Sequence, residues 1–312
     1  MHLLLLGCTG FIGSELVPQL LRSGHHLTIV SRKLPKKFSN NVDSERIIYL
    51  QSDPGNPKSW SEAKLQNALS QANGVINLAG EPIAEKRWTK KKCEEIKNSR
   101  IQTTRGLIET MSNMKINPQV LINASAIGYY GSSQNDLFTE ENDSGQDFLA
   151  KLCKEWEEIA SEKPAKTRLV LLRIGIVLGT NGGALGKMLP VFRAGFGGPI
   201  GNGQQWMSWI HRTDLCQMID QALLDEKWEG IINAVSPNPS SMSDFSCTLG
   251  KVLGRPSLLP VPEFLLKLLM GDGAKVVLEG QKVSSNRLKK LKFNFRYAEL
   301  FEALKKEAST NI

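Results

Sequence analysis

The sequence predicts an α/β protein, a doubly wound parallel sheet of Rossmann type with a smaller C-terminal lobe. Three observations predict it. Short apolar runs alternate with segments of helical spacing up to about residue 178. Such alternation builds parallel strands, because each parallel crossover takes a helix. The first apolar run ends in a glycine-rich turn that opens a helix. Beyond residue 178 the alternation gives way to glycine and proline.

Residues 3–6 are four leucines closed by Gly7, read as a buried strand. Residues 11–21 place Phe11, Leu16 and Leu20 on one helical face, with Gly24 as the stop and Pro18 as an expected kink. Further strands are read at 27–30, 47–50, 75–78, 120–122, 169–172 and 231–235, and helices at 59–71, 90–114, 146–162, 185–192 and 217–224. Residues 180–203 hold eight glycines and two prolines around one short apolar helix, the composition of a binding loop or lid. The reading divides the chain into a nucleotide-binding domain over 1–235, with its glycine-rich segment 179–211 facing a substrate cleft, and a small lobe over 236–312.

Composition bounds the function. Apolar residues make up 41% of the chain, enough for one large core or two modest ones. Thirty-nine basic against thirty-one acidic residues give a net charge of +8, spread along the chain rather than gathered in a stripe. No nucleic-acid partner is expected. Five scattered cysteines without a C-x-x-C pair read as reduced thiols in a cytosol-like compartment. With four histidines, none near a cysteine, no metal site is expected. The apolar runs are too short for membrane insertion. A cytoplasmic location is expected, or the plastid stroma were a transit peptide removed.

Gly7-Cys8-Thr9-Gly10-Phe11-Ile12-Gly13 lies between the first strand and the first helix. Its glycines permit a tight turn and let backbone N–H groups reach a pyrophosphate at the helix N-terminus. The strand–glycines–helix–strand order makes this a dinucleotide cradle rather than an ordinary turn. An NAD-selective site places an acid at the end of the second strand, to bind the ribose 2′-OH. Here that position reads Ser31-Arg32-Lys33, and no acid occurs between Leu16 and Asp43. Ser31 and Arg32 suit a 2′-phosphate, so the expected cofactor is NADP(H).

Asn77-Leu78-Ala79-Gly80 resembles the N-x-A-G motif of short-chain dehydrogenases/reductases, and Trp209-Ile210-His211-x-x-Asp214-Leu215 a late motif of their extended, epimerase-like branch. Matching segments run nearly end to end: Gly10-Phe11-Ile12-Gly13, Glu81, Arg87-Trp88, Asn98-Ser99-Arg100, Ser125-Ala126-Ile127-Gly128-Tyr129-Tyr130-Gly131, Arg173 to Gly179, Gly197 to Gly201 and Leu278 to Val283. Together they are similar to the atypical "epimerase family protein" group, also described as cell-division-inhibitor-like. The resemblance implies that Leu78, Ala79 and Gly80 line the adenosine side and that Val177 approaches the nicotinamide carboxamide. It places Arg100 on a helix facing the cofactor phosphates, against the alternative of a solvated helix residue. Glu95 is taken with Arg100, although five residues do not by themselves pair them.

The resemblance also implies a catalytic serine, met by Ser125, and a Tyr-x-x-x-Lys pair on the next helix. The stretch where that pair belongs, 147–154, contains no tyrosine. Tyr129 and Tyr130 are the substitutes within reach of Ser125, against the reading that each only packs. Asp147 is a second candidate base, and Lys151 or Lys154 a ribose contact. His211 is either a general acid or, as favoured here, a structural residue acting with Asp214. Trp206 and Trp209 wall a pocket or belong to the core. Two functions are carried forward. One is an NADP(H)-dependent oxidoreductase or epimerase-like enzyme on an unidentified small molecule, with a homodimer as the candidate assembly. The other is a non-catalytic NADP(H)-binding regulator linked to cell or plastid division.

Overall fold

The computed structural model describes residues 1–33 and 44–309. The elements are, in order, β1 (His2–Leu6), α1 (Gly13–Arg22), β2 (His26–Ser31), β3 (Ile47–Gln51), α2 (Ala63–Ser70), β4 (Gly74–Asn77), α3 (Lys90–Ser112) and β5 (Val120–Ala126). There follow β6 (Leu137–Phe138), α4 (Phe148–Ser161), β7 (Arg168–Ile174), β8 (Ile176–Leu178), α5 (Gly183–Arg193), β9 (Trp206–Met207), β10 (Trp209–His211), α6 (Arg212–Leu224) and β11 (Gly230–Ala234). The chain closes with β12 (Ser240–Ser241), α7 (Met242–Leu253), α8 (Glu263–Met270), α9 (Lys275–Leu278), β13 (Lys282–Val283), α10 (Asn286–Lys290) and α11 (Leu300–Ser309).

All seven strands read from the sequence enter one sheet of order β11-β7-β5-β4-β1-β2-β3, every pair parallel. Its four-leucine first strand has a simple cause. Both faces are covered, so alternate side chains enter different cores. Leu3 and Leu5 join α1 and α6 on one face. Leu4 and Leu6 join Leu65 and Leu69 of α2 and Leu107 of α3 on the other. Each such leucine contributes about 1.5–3 kcal/mol by burial. Pro18 sits inside α1, whose Gly13–Arg22 span is unbroken. Phe11 and Ile12 precede that helix and belong to the turn.

The order reverses at β1. β2 lies on one side of it and β4 on the other, so the carboxyl ends of these strands open into a crevice, the usual ligand position in such sheets. The lobe is not one contiguous piece. Leu178, Leu185, Leu189, Phe192 and Trp209 pack with Met242, Phe245, Leu249 and Leu304 in a separate core. The glycine-rich segment thus shares the lobe's core, which a cut at residue 235 does not convey. Gly197 to Gly201 runs alongside Leu259 to Val261 through three backbone hydrogen bonds. A side chain on Gly198 would strike the Leu259 carbonyl, at 2.0 Å. On α8, Phe264, Leu265, Leu268 and Leu269 remain at the surface. Among the described residues no helix is long and apolar enough to cross a membrane, and no three His, Cys, Asp or Glu side chains gather as a metal site.

Candidate functional site

The three glycines of the cradle have three different environments. Gly7 has φ +73°, and a Cβ there would lie 2.5 Å from the Ala79 backbone. It lets the turn after β1 close against the turn after β4, where the Leu78 amide donates to the Leu6 carbonyl at 2.9 Å. A Cβ on Gly13 would lie 1.8 Å from the Cys8 carbonyl, so this glycine seats α1 on the turn. A Cβ on Gly10 would meet nothing within 4 Å. That open face at the start of a helix fits a pyrophosphate, with Thr9 in the same turn.

At the end of β2 the Ser31 hydroxyl donates to the Lys33 carbonyl at 2.7 Å. Arg32 is 70% exposed, with its guanidinium 4.0 Å from Glu81. Glu81 is held more closely by Lys92, at 2.7 Å. That hydrogen bond holds its carboxyl below the usual range, against the effect of burial. Arg32 therefore leans over the β4 turn without being committed to it.

Asn77 orders that turn. Its amide donates to Thr104 and Asn123, and its carbonyl oxygen accepts the Ala79 amide. Arg100 lies beneath: it donates to the carbonyls of Glu81 and Ile96 and stacks on Trp156. A Cβ on Gly80 would come within 2.9 Å of its guanidinium. Arg100 thus shapes the turn through backbone carbonyls, a placement neither expectation described. Glu95 does not pair with it; its carboxylate lies 3.9 Å from Lys92, one helical turn away.

Beyond β5 the structure assembles a buried network. Ser125 donates to Glu157 of α4 at 2.5 Å. Arg173 of β7 grips both Glu157 oxygens, at 2.9 and 2.7 Å. Its remaining arm donates to the Tyr130 hydroxyl, which itself donates to Asn233. Burial pushes the Tyr130 phenol up to about 12, against the pull of Arg173. Burial also opposes the Arg173 charge, but its bonds to Glu157 and Tyr130 prevail and raise its affinity for the proton. Tyr130 is therefore a fixed core residue and is withdrawn from the candidate proton donors. Tyr129 is half-buried, its ring lying over the Arg173 guanidinium at 3.4 Å from the centroid.

Helix α4 explains the missing pair. Its positions nearest β5 carry Cys153 and Glu157, one turn apart. Burial pushes the Cys153 thiol up to about 12, which leaves it unreactive. Lys151 and Lys154 are exposed, and Asp147 caps the helix by accepting the Ala150 amide. Sequence reasoning missed Glu157 and Arg173. The signal for Arg173 was present, as a lone charge closing an apolar strand, which demands a buried partner.

Phe11 lies against Gly179, Gly182 and Gly183, where any Cβ would come within about 3.1 Å of its ring. This close fit joins the cradle to the lobe and accounts for those glycines. Val177, half-buried in β8, pairs with Ile210. His211 caps α6: its Nδ1 accepts the Thr213 amide, so Nε2 carries the proton, toward Glu307 at 3.0 Å. Asp214 accepts the amides of Arg296 and Tyr297. Both residues tie C-terminal segments to the β10–α6 junction, a structural role, but each through its own partners. Trp209 is core, and the Trp206 indole donates to the Gln134 carbonyl.

A parallel sheet with this order, a Gly7–Gly13 cradle and an N-x-A-G turn together define a dinucleotide-binding short-chain dehydrogenase/reductase. The chain belongs to the NAD dependent epimerase/dehydratase family, whose model matches residues 3–234. A second match, over residues 261–307, is to a domain of unknown function, DUF1731. The epimerase family protein SDR39U1 homolog, chloroplastic, of Arabidopsis thaliana is 43% identical over 301 residues, 96% of this chain and 84% of that protein. The crystal structure of human epimerase family protein SDR39U1 (isoform 2) with NADPH matches with a TM-score of 0.88 and 33% identity, over 99% of this chain and 100% of that one. UDP-glucuronic acid 4-epimerase from Bacillus cereus, solved with UDP-glucuronic acid and NAD, shares the fold at a TM-score of 0.78 and 20% identity, over 99% and 98% of the two chains.

Proposed function

We propose that this chain is an NADP(H)-dependent oxidoreductase acting on a small molecule at the carboxyl edge of the sheet, with Tyr129 as its proton donor. The observation that carries the reading is the open face at Gly10 beside a β2 end that presents Arg32 and no acid. The NADPH bound to human SDR39U1 supports it. When bound, the nicotinamide supplies a hydride. The turn from Gly7 to Gly13 holds the pyrophosphate, Ser31 and Arg32 the 2′-phosphate, Leu78 and Ala79 the adenosine side and Val177 the nicotinamide side. Tyr129 is the one hydroxyl of the serine–tyrosine set that no other side chain of the network binds. Arg173 holds its ring in place.

A second reading has an observation in its favour. Ser125 gives its proton to Glu157 and Tyr130 gives its own to Asn233. Most of the hydroxyls of a reductase site are thereby occupied, as suits an NADP(H)-binding regulator. A panel of carbonyl compounds, followed by loss of nicotinamide absorbance, separates the two. The enzyme reading expects turnover that Tyr129→Phe lowers by about a hundredfold or more, with NADPH affinity retained. Tight NADPH binding with no oxidation by any substrate class leaves the regulator.

A further inference from the structure

Beside the cradle, the carboxyl ends of β2 and β3 border an open surface hollow, of about 510 Å³, lined by Arg32, Gln51, Ser52, Asp53, Glu62 and Lys64. The strands build it directly. Ser31 stands opposite Gln51, and the Ser52 amide donates to the Ser31 carbonyl at 3.0 Å. The Lys64 ammonium donates to the Gln51 carbonyl at 2.8 Å, which brings it to the same rim as Arg32. Lys64 also pairs with Glu62 at 2.9 Å, but both are about half exposed, so the pair is weak and exchangeable. Ser52 is only 7% exposed, and its hydroxyl finds no hydrogen-bond partner among the described residues. A buried hydroxyl without a partner calls for an explanation, and a ligand oxygen supplies one.

We infer that Lys64 is a second cation for the 2′-phosphate of NADP(H), acting with Arg32, and that Ser52 supplies a neutral donor from the floor of the hollow. The inference rests on the NADP(H) reading above. A phosphate monoester carries about 1.5 to 2 negative charges on three oxygens, more than one guanidinium fork satisfies. An ammonium and a hydroxyl complete the set. The 2′-OH of NADH carries no charge, so Lys64 adds to NADPH affinity and nothing to NADH affinity. Glu62 competes for Lys64 in the free protein.

The test is calorimetric titration of the full chain with 2′,5′-ADP and with 5′-AMP, probes that differ by the 2′-phosphate alone. Lys64→Ala is expected to weaken 2′,5′-ADP about tenfold and to leave 5′-AMP within about twofold. Lys64→Arg restores most of the loss. Glu62→Gln, which frees the ammonium, tightens 2′,5′-ADP about two- to fivefold, and Ser52→Ala weakens it by a similar factor. Should Arg32→Ala weaken 2′,5′-ADP while Lys64→Ala does not, or should Lys64→Ala weaken both probes alike, the inference is overturned and NADP(H) selectivity stands. Equal affinity of the wild type for the two probes overturns that selectivity itself.

Discussion

Gly7, Gly10 and Gly13 are indistinguishable as letters and unlike as positions. Gly7 and Gly13 are required by neighbouring backbone, whereas Gly10 faces empty space. Gly10→Val is therefore expected to fold and to lose NADPH. Its side chain occupies the pyrophosphate's approach, and its Cβ has no protein atom within 4 Å. Fluorescence titration should show at least about a hundredfold loss of affinity, while the circular dichroism melt shifts by no more than about 1 kcal/mol in stability. An NADPH affinity within twofold of wild type would refute the cradle assignment. The same contrast separates the tyrosines. Adjacent in sequence, Tyr130 is buried with both its hydrogen bonds made, while Tyr129 is half-buried with its ring over Arg173.

At the scale of elements, the joint between α6 and the C-terminal helix determines how the lobe is held. Glu307 of α11 accepts from His211 at 3.0 Å and from the Thr180 amide at 2.6 Å. Burial would raise its carboxyl, but these bonds prevail and hold it below the ordinary 4.5. A carboxylate so depressed contributes stability above its ordinary value and loses it as pH falls through the lower, folded value. Glu307→Gln is expected to cost about 1–2 kcal/mol near neutrality. The gap between wild type and variant should close on acidification from about pH 5 downwards. Denaturant melts at a series of pH values measure it. A gap that stays constant down to pH 3 would mean that Glu307 is not held as a carboxylate by these bonds.

For the whole molecule, the glycine turn after β1 is where the sheet meets the lobe. The cradle belongs to the sheet, and Phe11 seats it on the glycine turn that the lobe's core holds. A ligand binding only the folded state stabilises it by about 2.7 kcal/mol at a hundredfold excess over Kd. NADPH is accordingly expected to raise the melting temperature by several degrees, and NADH at equal concentration by clearly less, in a scanning-fluorimetry comparison. Equal shifts would remove the case for a 2′-phosphate site at Arg32.

By itself the sequence determined the seven strands, the sheet's parallel sense, the cradle and the absence of an acid after β2. These are local facts. Apolar runs, glycine spacing and the residue at a strand end depend on a dozen neighbours, and periodicity reports them faithfully. The helical tyrosine's absence was equally legible. Only the tertiary structure decided what replaced it. Ser125 meets Glu157 from 32 residues away, and Tyr130 meets Asn233 from 103. Arg100, which the sequence left between a cofactor contact and a solvated helix residue, reaches the turn after β4 through the Glu81 carbonyl. The lobe's core likewise joins segments over a hundred residues apart, Leu185 with Leu304 among them. No spacing encodes such meetings. They depend on which strand ends the fold brings side by side, and on the rule that a buried charge or hydroxyl takes whatever partner that arrangement offers.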